Sequence, residues 1–80
     1  MKLLRGTKVE LDQEYLHVTL ADGSIISTPL PWYEELTHAT EDQRHHYKFL
    51  GKGLVIEWPD LDFHLDVQEM MRVEIQEKVA

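Results

Sequence analysis

Alternating apolar and polar residues predict β-strands in the first third of the chain. In one segment Leu16, Val18 and Leu20 share a face, because successive side chains of a strand point to opposite sides. The pair Asp22-Gly23 then favours a two-residue hairpin loop, since glycine accepts a positive φ without steric cost. We therefore predict an antiparallel meander with strands over residues 4–11, 15–21 and 24–28.

Helical signals occupy the middle of the chain. Residues 32–39 are predicted to form a short helix. Thr40 and Gln43 have the spacing of a capping box, in which each side chain satisfies a free backbone amide at the start of a helix. This box predicts a second helix that continues to Leu50 and ends at Gly51, a residue able to adopt the left-handed conformation.

The last third combines a buried strand with an alternating segment. From Gly53 to Trp58 the chain carries apolar residues in succession, which predicts a central strand covered on both faces. Alternation then places carboxylates and one imidazole on one face, at Asp60, Asp62, His64 and Asp66. Asp66 also precedes a predicted C-terminal helix as its N-cap. One face of this helix comprises Val67, Met70, Met71, Glu74, Ile75 and Lys78.

These elements predict one α+β domain over residues 1–80. It comprises an antiparallel meander or sheet of about four strands, two short helices and a C-terminal helix. A chain of 80 residues has room for one modest core, and without cysteine no disulfide can support it. We expect the largely buried core residues to include Val18, Leu54, Ile56, Leu61 and Leu65.

The charge of the chain bears on its partners. Fifteen acidic residues against eight basic ones leave a formal net charge of −7. Nucleic-acid binding needs clustered lysine and arginine, so we expect none from this chain alone, whereas a basic protein partner would fit. No apolar run approaches the ~18 residues of a membrane span, and the first residues lack the apolar segment of a signal peptide. We expect a cytoplasmic protein that does not bind membranes.

Several short motifs resemble one bacterial family. They are Pro31-Trp32, Leu36, Ala39-Thr40, Arg44, Gly53, Trp58-Pro59-x-Leu61-Asp62 and the apolar helix at Val67, Met70 and Met71. The Asp22-Gly23 hairpin and the strand that leads to Pro29 match as well. In these residues, and over roughly Lys8 to Met71, the chain resembles the small proteins called domain of unknown function 2442.

The resemblance implies an α+β fold without an established activity. Members are often encoded beside small basic proteins that resemble toxins of toxin–antitoxin pairs, which implies an antitoxin-like role. Some longer relatives carry a helix-turn-helix domain after this module, which implies repression of their own operon. Only residues 72–80 follow the matched region here, so the resemblance does not extend to such a domain.

The acidic alternating segment permits two chemical interpretations. Asp60, Asp62 and His64 offer oxygen and imidazole ligands that would suit a metal-binding protein or a metal-dependent enzyme. Alternate residues of one strand lie roughly 6.5–7 Å apart, however, so one ion could not reach all of them without a bend. In the structural interpretation, Asp60 and Asp62 satisfy backbone amides of the turn at Pro59. We expect no cofactor and no enzyme, since no nucleophile motif or phosphate-binding loop is present.

Aromatic residues close to the carboxylates complete the candidate site. Trp58 is predicted to pack with Trp32 in the core; alternatively, part of the aromatic set is exposed and anchors a partner. Our first hypothesis is a non-enzymatic protein-interaction module that binds a basic, toxin-like protein. The alternatives are the metal-dependent role and a structural homodimer. The predicted partner-binding residues are Trp32, Tyr33, Trp58, Asp60, Asp62 and His64.

Overall fold

Two three-stranded antiparallel sheets form the framework of the protein, in a computed structural model that describes residues 3–71. The strands are β1 (Gly6–Leu11), β2 (Tyr15–Leu20), β3 (Ile25–Pro29), β4 (Lys48–Leu50), β5 (Val55–Trp58) and β6 (Phe63–Asp66). The helices are α1 (Glu34–Thr37), α2 (Glu41–His45) and α3, which begins at residue 67 and is described to residue 71. Leu30–Trp32 and Pro59–Leu61 form single 3-10 turns.

The first sheet has the order β1-β2-β3 and confirms the predicted meander. Gly23 adopts the expected positive φ, +93°. The predicted two-residue hairpin loop is wrong, however, because the Leu20 amide donates to the Ser24 carbonyl (2.7 Å) and leaves three residues between them. In such a loop a turn is followed by a glycine in the left-handed region, which restores the strand direction.

The second predicted helix is much shorter than expected. The capping box between Thr40 and Gln43 is present and starts α2, but α2 ends at His45, and residues 48–50 form β4. Phe49 pairs with Ile56 across the sheet, and such tertiary contacts override a helical propensity. Gly51 does take a positive φ, +60°, although it lies in the β4–β5 connection rather than at a helix end.

The second sheet has the order β4-β5-β6, so the chain has six strands rather than about four. The prediction of a central strand before Trp58 is confirmed by β5, which pairs with both neighbours. Burial alternates along β5, where Ile56 and Trp58 have no exposed surface. The predicted coverage on both faces is therefore wrong, and the strand is covered mainly on one face. Of the alternating segment that follows, only Phe63–Asp66 is extended.

Both sheets contribute to one hydrophobic core. It comprises Val9, Leu16, Val18, Leu20, Ile26, Leu30, Tyr33, Leu36, Ile56, Trp58, Leu65, Val67 and Met70. The predicted burial of Val18, Ile56 and Leu65 is confirmed, while Leu54 and Leu61 are only half-buried. Met70 packs inside, but Met71 is 38% exposed. The predicted positions Glu74, Ile75 and Lys78 lie outside the described residues.

The two sheets meet where β1 passes the loop between β4 and β5. The Gly6 amide donates to the Gly53 carbonyl (2.7 Å), and the Arg5 guanidinium donates to the carbonyls of Gly51 and Lys52 (3.2 Å each). Gly53 has a φ of +94°, and a Cβ there would lie 2.5 Å from the Gly6 carbonyl oxygen. The junction therefore requires glycine at position 53 for both its conformation and its space.

No helix within residues 3–71 combines the length and the apolar character that crossing a membrane requires.

Candidate functional site

Trp58 is the predicted site residue that directly precedes the turn carrying Asp60 and Asp62. The last residue of β5, it stacks on Phe63 with ring centroids 5.7 Å apart and contacts the ring of Tyr47 at 6.4 Å. Its indole N–H donates to the carbonyl of Arg44 (3.0 Å), which satisfies the polar atom of an otherwise apolar side chain. The core interpretation of Trp58 is confirmed. The predicted packing with Trp32 is wrong, because the ring contacts of Trp58 within residues 3–71 are with Phe63 and Tyr47.

Arg44 extends this connection to the first helix. Its Nε donates to the carbonyl of Leu36 (2.9 Å) and one terminal nitrogen donates to the carbonyl of Thr37 (3.0 Å). Carbonyls at a helix C-terminus lack partners within the helix, and a guanidinium there also complements the helix dipole. Trp58 and Arg44 thus bring β5, α2 and α1 together, which places both short helices beside the turn at residues 59–62.

The turn after Trp58 presents two carboxylates to solvent. Pro59 begins a single 3-10 turn, and Asp62 follows it in the left-handed conformation with a φ of +51°. The Asp60 carboxylate lies 2.8 Å from Nδ1 of His46, an exposed pair. Within residues 3–71 neither carboxylate accepts a hydrogen bond from a backbone amide of the turn, so the structural interpretation of Asp60 and Asp62 is wrong on this point.

His64 faces a different set of partners. Its Nε2 lies 3.2 Å from the Glu57 carboxylate, which also contacts the Lys48 ammonium at 3.5 Å. These three residues are cross-strand neighbours on β4, β5 and β6. His64 is therefore separated in its contacts from Asp60, which is bound to His46. Among residues 3–71, no three histidine or acidic side chains are grouped closely enough to hold a metal ion.

Asp66 confirms its predicted role as a cap. Its carboxylate accepts a hydrogen bond from the Gln68 amide (2.9 Å) in the first turn of α3. The Gln68 side chain in turn pairs with the backbone of Leu4, accepting from its amide (2.9 Å) and donating to its carbonyl (2.6 Å). Asp66 thus caps the N-terminus of α3, although it is exposed to solvent.

The predicted aromatic anchors differ in exposure. Tyr33 is only 8% exposed, and its hydroxyl lies 2.9 Å from the hydroxyl of buried Thr28. Burial raises the pKa of Tyr33, an effect that the hydrogen bond to Thr28 partly offsets. With Trp58 fully enclosed, neither ring offers a surface to a partner, and their prediction as contact residues needs correction. Trp32 is half-buried against the core and retains part of its surface.

Carboxylates dominate the surface around these elements. We define the acidic region as the exposed acidic residues of α1, α2 and the turn at residues 59–62. They are Glu34, Glu35, Glu41, Asp42, Asp60 and Asp62. Arg44, the one arginine of these elements, is directed to the carbonyls of α1. Two histidines of this region contact a carboxylate, His46 that of Asp60 and His45 that of Glu41 at 4.0 Å.

Comparison with known proteins assigns the family. The model of the family described as Protein of unknown function (DUF2442) matches residues 7–76. The chain belongs to this family. A crystal structure of a protein of unknown function from Rhodospirillum rubrum ATCC 11170 is similar to the DUF2442 chain at 26% identity and a TM-score of 0.75. The alignment covers 89% of this chain and 88% of that one. No curated protein matches.

In this DUF2442 protein, several of the resembling motifs have structural roles. Thr40 caps α2, Arg44 binds the end of α1, and Trp58 joins both to the second sheet. Pro59 begins the turn, and Leu61 packs half-buried against the core. These residues position the acidic region, whose carboxylates lie mostly outside the motifs.

Proposed function

We propose that this DUF2442 protein is an interaction module whose acidic region binds a small basic protein, as an antitoxin binds its toxin. The supporting observation is the unbalanced charge of that region. Its six carboxylates are exposed, while the guanidinium of Arg44 is directed to backbone carbonyls. Such a surface attracts a basic partner and repels an acidic one.

The proposed contact set follows from the exposure of the predicted residues. Asp60 and Asp62 remain in it because both are exposed, and Trp32 remains because part of its surface is exposed. His64 is exposed on the neighbouring strand, where it pairs with Glu57. Trp58 and Tyr33 leave the set and act indirectly by supporting the turn and the helices. The carboxylates steer the encounter, and Trp32 supplies the aromatic contact that interfaces favour.

The test begins with the product of the neighbouring gene, which the proposal expects to be a small basic protein. The two proteins are co-expressed, purified together and then studied by stopped-flow association. Steering predicts that the association rate falls by about tenfold or more between low and high salt, since charges separated by more than ~8 Å are screened near physiological ionic strength. We expect Asp60→Asn with Asp62→Asn to slow association and to leave the free energy of unfolding within about 1 kcal/mol, because exposed ion pairs contribute little.

A matched control removes the same number of charges from the first sheet. Glu10→Gln with Glu14→Gln changes two exposed carboxylates that are outside the acidic region. We expect this variant to associate faster than the Asp60 and Asp62 variant at low salt. Equal slowing would reduce the effect to net charge alone. Unchanged kinetics in the Asp60 and Asp62 variant, or its easy unfolding, would contradict the proposal.

A further inference from the structure

Three polar side chains form a hydrogen-bonded series on the outer face of the first sheet. The Asp12 carboxylate lies 2.9 Å from Nε2 of His17, and Nδ1 of the same imidazole lies 2.6 Å from the hydroxyl oxygen of Ser27. The His17 side chain is 30% exposed and that of Asp12 is 56% exposed. Ser27 is exposed as well. Hydrogen bonds therefore connect a carboxylate, an imidazole and a hydroxyl, and all three groups are accessible to solvent.

The pairing of the strands produces this arrangement. His17 on β2 lies opposite Ser27 on β3. In an antiparallel ladder, residue pairs whose backbones hydrogen-bond to each other alternate with pairs whose backbones do not. The backbone hydrogen bonds from Leu20 to Ser24 (2.7 Å) and from Leu30 to Glu14 (2.8 Å) identify the hydrogen-bonded pairs of β2 and β3. The backbones of His17 and Ser27 do not hydrogen-bond to each other, and the side chains of such pairs approach most closely.

The backbone of the β1–β2 connection holds the carboxylate in place. One oxygen of Asp12 accepts hydrogen bonds from the amides of Glu14 (2.7 Å) and Tyr15 (2.6 Å), while the other faces His17. The hydrogen bond with His17, followed by those from the two amides, lowers the pKa of Asp12 from 3.8 to about 2. Asp12 is therefore ionised near neutral pH and can only accept.

The charge of Asp12 determines the tautomer of the neutral imidazole. Because an ionised carboxylate accepts, Nε2 of His17 carries the proton and donates to Asp12. Nδ1 then holds a lone pair, and the hydroxyl of Ser27 is the donor in their hydrogen bond. The same order of roles makes a serine nucleophilic in hydrolases, where an acid orients a base and the base accepts the hydroxyl proton.

We propose that Ser27 is an activated nucleophile that accepts acyl groups from small activated esters, with His17 as its general base and Asp12 as the positioning residue. The hydroxyl oxygen of Ser27 attacks the ester carbonyl carbon, and its proton passes to Nδ1 of His17. The carbon–oxygen bond to the leaving group breaks, and that group takes the proton as it departs. Water then cleaves the acyl–Ser27 ester by the same proton route and restores the hydroxyl. This activity differs from the expectation of no enzyme, because the sequence around Ser27 carries no nucleophile motif.

The position of Ser27 defines the class of substrate. β3 is an edge strand, and the alternation of the ladder directs the Ser27 N–H away from β2, with no partner among residues 3–71. This amide is one donor for a developing oxyanion, where efficient hydrolases provide more. Asp12 and Ser27 are exposed and His17 is partly exposed, so the reacting group lies on an open sheet face. Small esters with good leaving groups are therefore the expected acyl donors.

Covalent labelling tests the proposal on the full chain. An alkyl fluorophosphonate, which loses fluoride when a serine hydroxyl attacks its phosphorus, leaves a stable adduct that peptide mass spectrometry can locate. The chain supplies its own control in its second serine, Ser24. The Ser24 hydroxyl donates to Asp22 (2.6 Å) and contacts no imidazole within residues 3–71. We expect labelling of Ser27 with little labelling of Ser24, and turnover of p-nitrophenyl acetate that Ser27→Ala removes.

Variants of the other two residues separate catalysis from a structural role. Asp12→Asn keeps an oxygen for the amides of Glu14 and Tyr15 but turns an N–H₂ group toward His17, which reverses the tautomer. We expect labelling of Ser27 to fall by about 100-fold in this variant and in His17→Gln, the usual scale of general-base assistance. Circular dichroism checks that each variant is folded. Equal labelling of both serines, or a folded Asp12→Asn variant that labels at the wild-type rate, would overturn the proposal.

Discussion

The two sheets of the protein are built in different ways. Strands of the first sheet have five or six residues, and short connections join each to its neighbour in sequence. Strands of the second sheet have only three or four residues. A ladder that short provides few backbone hydrogen bonds, so the second sheet depends more on the side chains around it.

The contacts of the second sheet show this dependence. The hydroxyl of Tyr47, which precedes β4, accepts a hydrogen bond from the Val9 amide of β1 (3.1 Å). Trp58 of β5 donates to the carbonyl of Arg44 (3.0 Å). Each of these aromatic side chains joins the sheet to the backbone of another element. Short strands can therefore be stable where large side chains supply both apolar burial and a hydrogen bond.

The largest expected effect tests this dependence directly. Trp58→Ala should lower the free energy of unfolding by about 3–5 kcal/mol, because it removes a fully buried ring and leaves a cavity. Trp32→Ala is the matched control, since Trp32 is only half-buried, and we expect a smaller loss. Urea denaturation followed by circular dichroism measures both. Similar losses for the two variants would contradict the central role of Trp58.

The first sheet could be predicted from the sequence because its signals are local. Alternation in Leu16, Val18 and Leu20 and the turn at Gly23 are visible within a few residues. β4 could not be predicted in this way, since three residues are too few to establish a period of two. Phe49 becomes part of a strand because Ile56 lies opposite it, a contact that only the folded chain provides.

The hydrogen-bonded series of Asp12, His17 and Ser27 was not predicted because the hairpin loop is one residue longer than expected. A two-residue loop at Asp22-Gly23 would pair His17 with Thr28, whereas the observed three-residue loop pairs it with Ser27. A shift of one residue turns a side chain to the other face of a sheet. Alternation does not explain the exposure of Asp60 and Asp62, because they lie in a 3-10 turn and its left-handed cap rather than in an extended strand. The contact of Asp60 with His46 likewise arises only in the folded chain.

Glycines in the two hairpins provide a second comparison. A Cβ on Gly23 would meet no atom within 4 Å, so Gly23→Ala adds only the cost of a positive φ, about 1–2 kcal/mol. A Cβ on Gly53 would meet the Gly6 carbonyl oxygen at 2.5 Å as well as having a φ of +94°. We expect Gly53→Ala to cost about 2–5 kcal/mol, since overpacking adds to the strain. Thermal denaturation of the two variants measures the difference.

Equal destabilisation by the two glycine variants would show that the junction between the sheets accommodates a Cβ at residue 53 without additional cost.

Amide hydrogen exchange identifies which backbone hydrogen bonds each variant weakens. In Gly53→Ala we expect faster exchange at Gly6, whose amide donates to the carbonyl of residue 53 (2.7 Å). In Gly23→Ala we expect it at Leu20 and at the substituted residue 23. Faster exchange confined to the first hairpin in both variants would contradict the assignment of Gly53 to the junction.

The smallest expected effect concerns Asp12, which belongs to the first sheet alone. Its pKa of about 2 in the folded protein lies below the ordinary 3.8, so the folded state favours the ionised carboxylate. This stabilisation is complete above pH 3.8 and is lost as the pH falls toward 2. Wild type and Asp12→Asn should therefore differ most in the free energy of unfolding above pH 4, with a difference that disappears on acidification.

The cause of the shift can be separated by a change at the neighbouring residue. The hydrogen bond with His17 is the largest contribution to the lowered pKa of Asp12, ahead of the amides of Glu14 and Tyr15. His17→Phe removes the first contribution and leaves the amides in place. We expect the NMR titration of the Asp12 carboxyl carbon to move part of the way from about 2 toward 3.8. An unchanged titration midpoint would show that the backbone amides cause the pKa shift of Asp12. The imidazole of His17 would then have no measurable effect on that pKa.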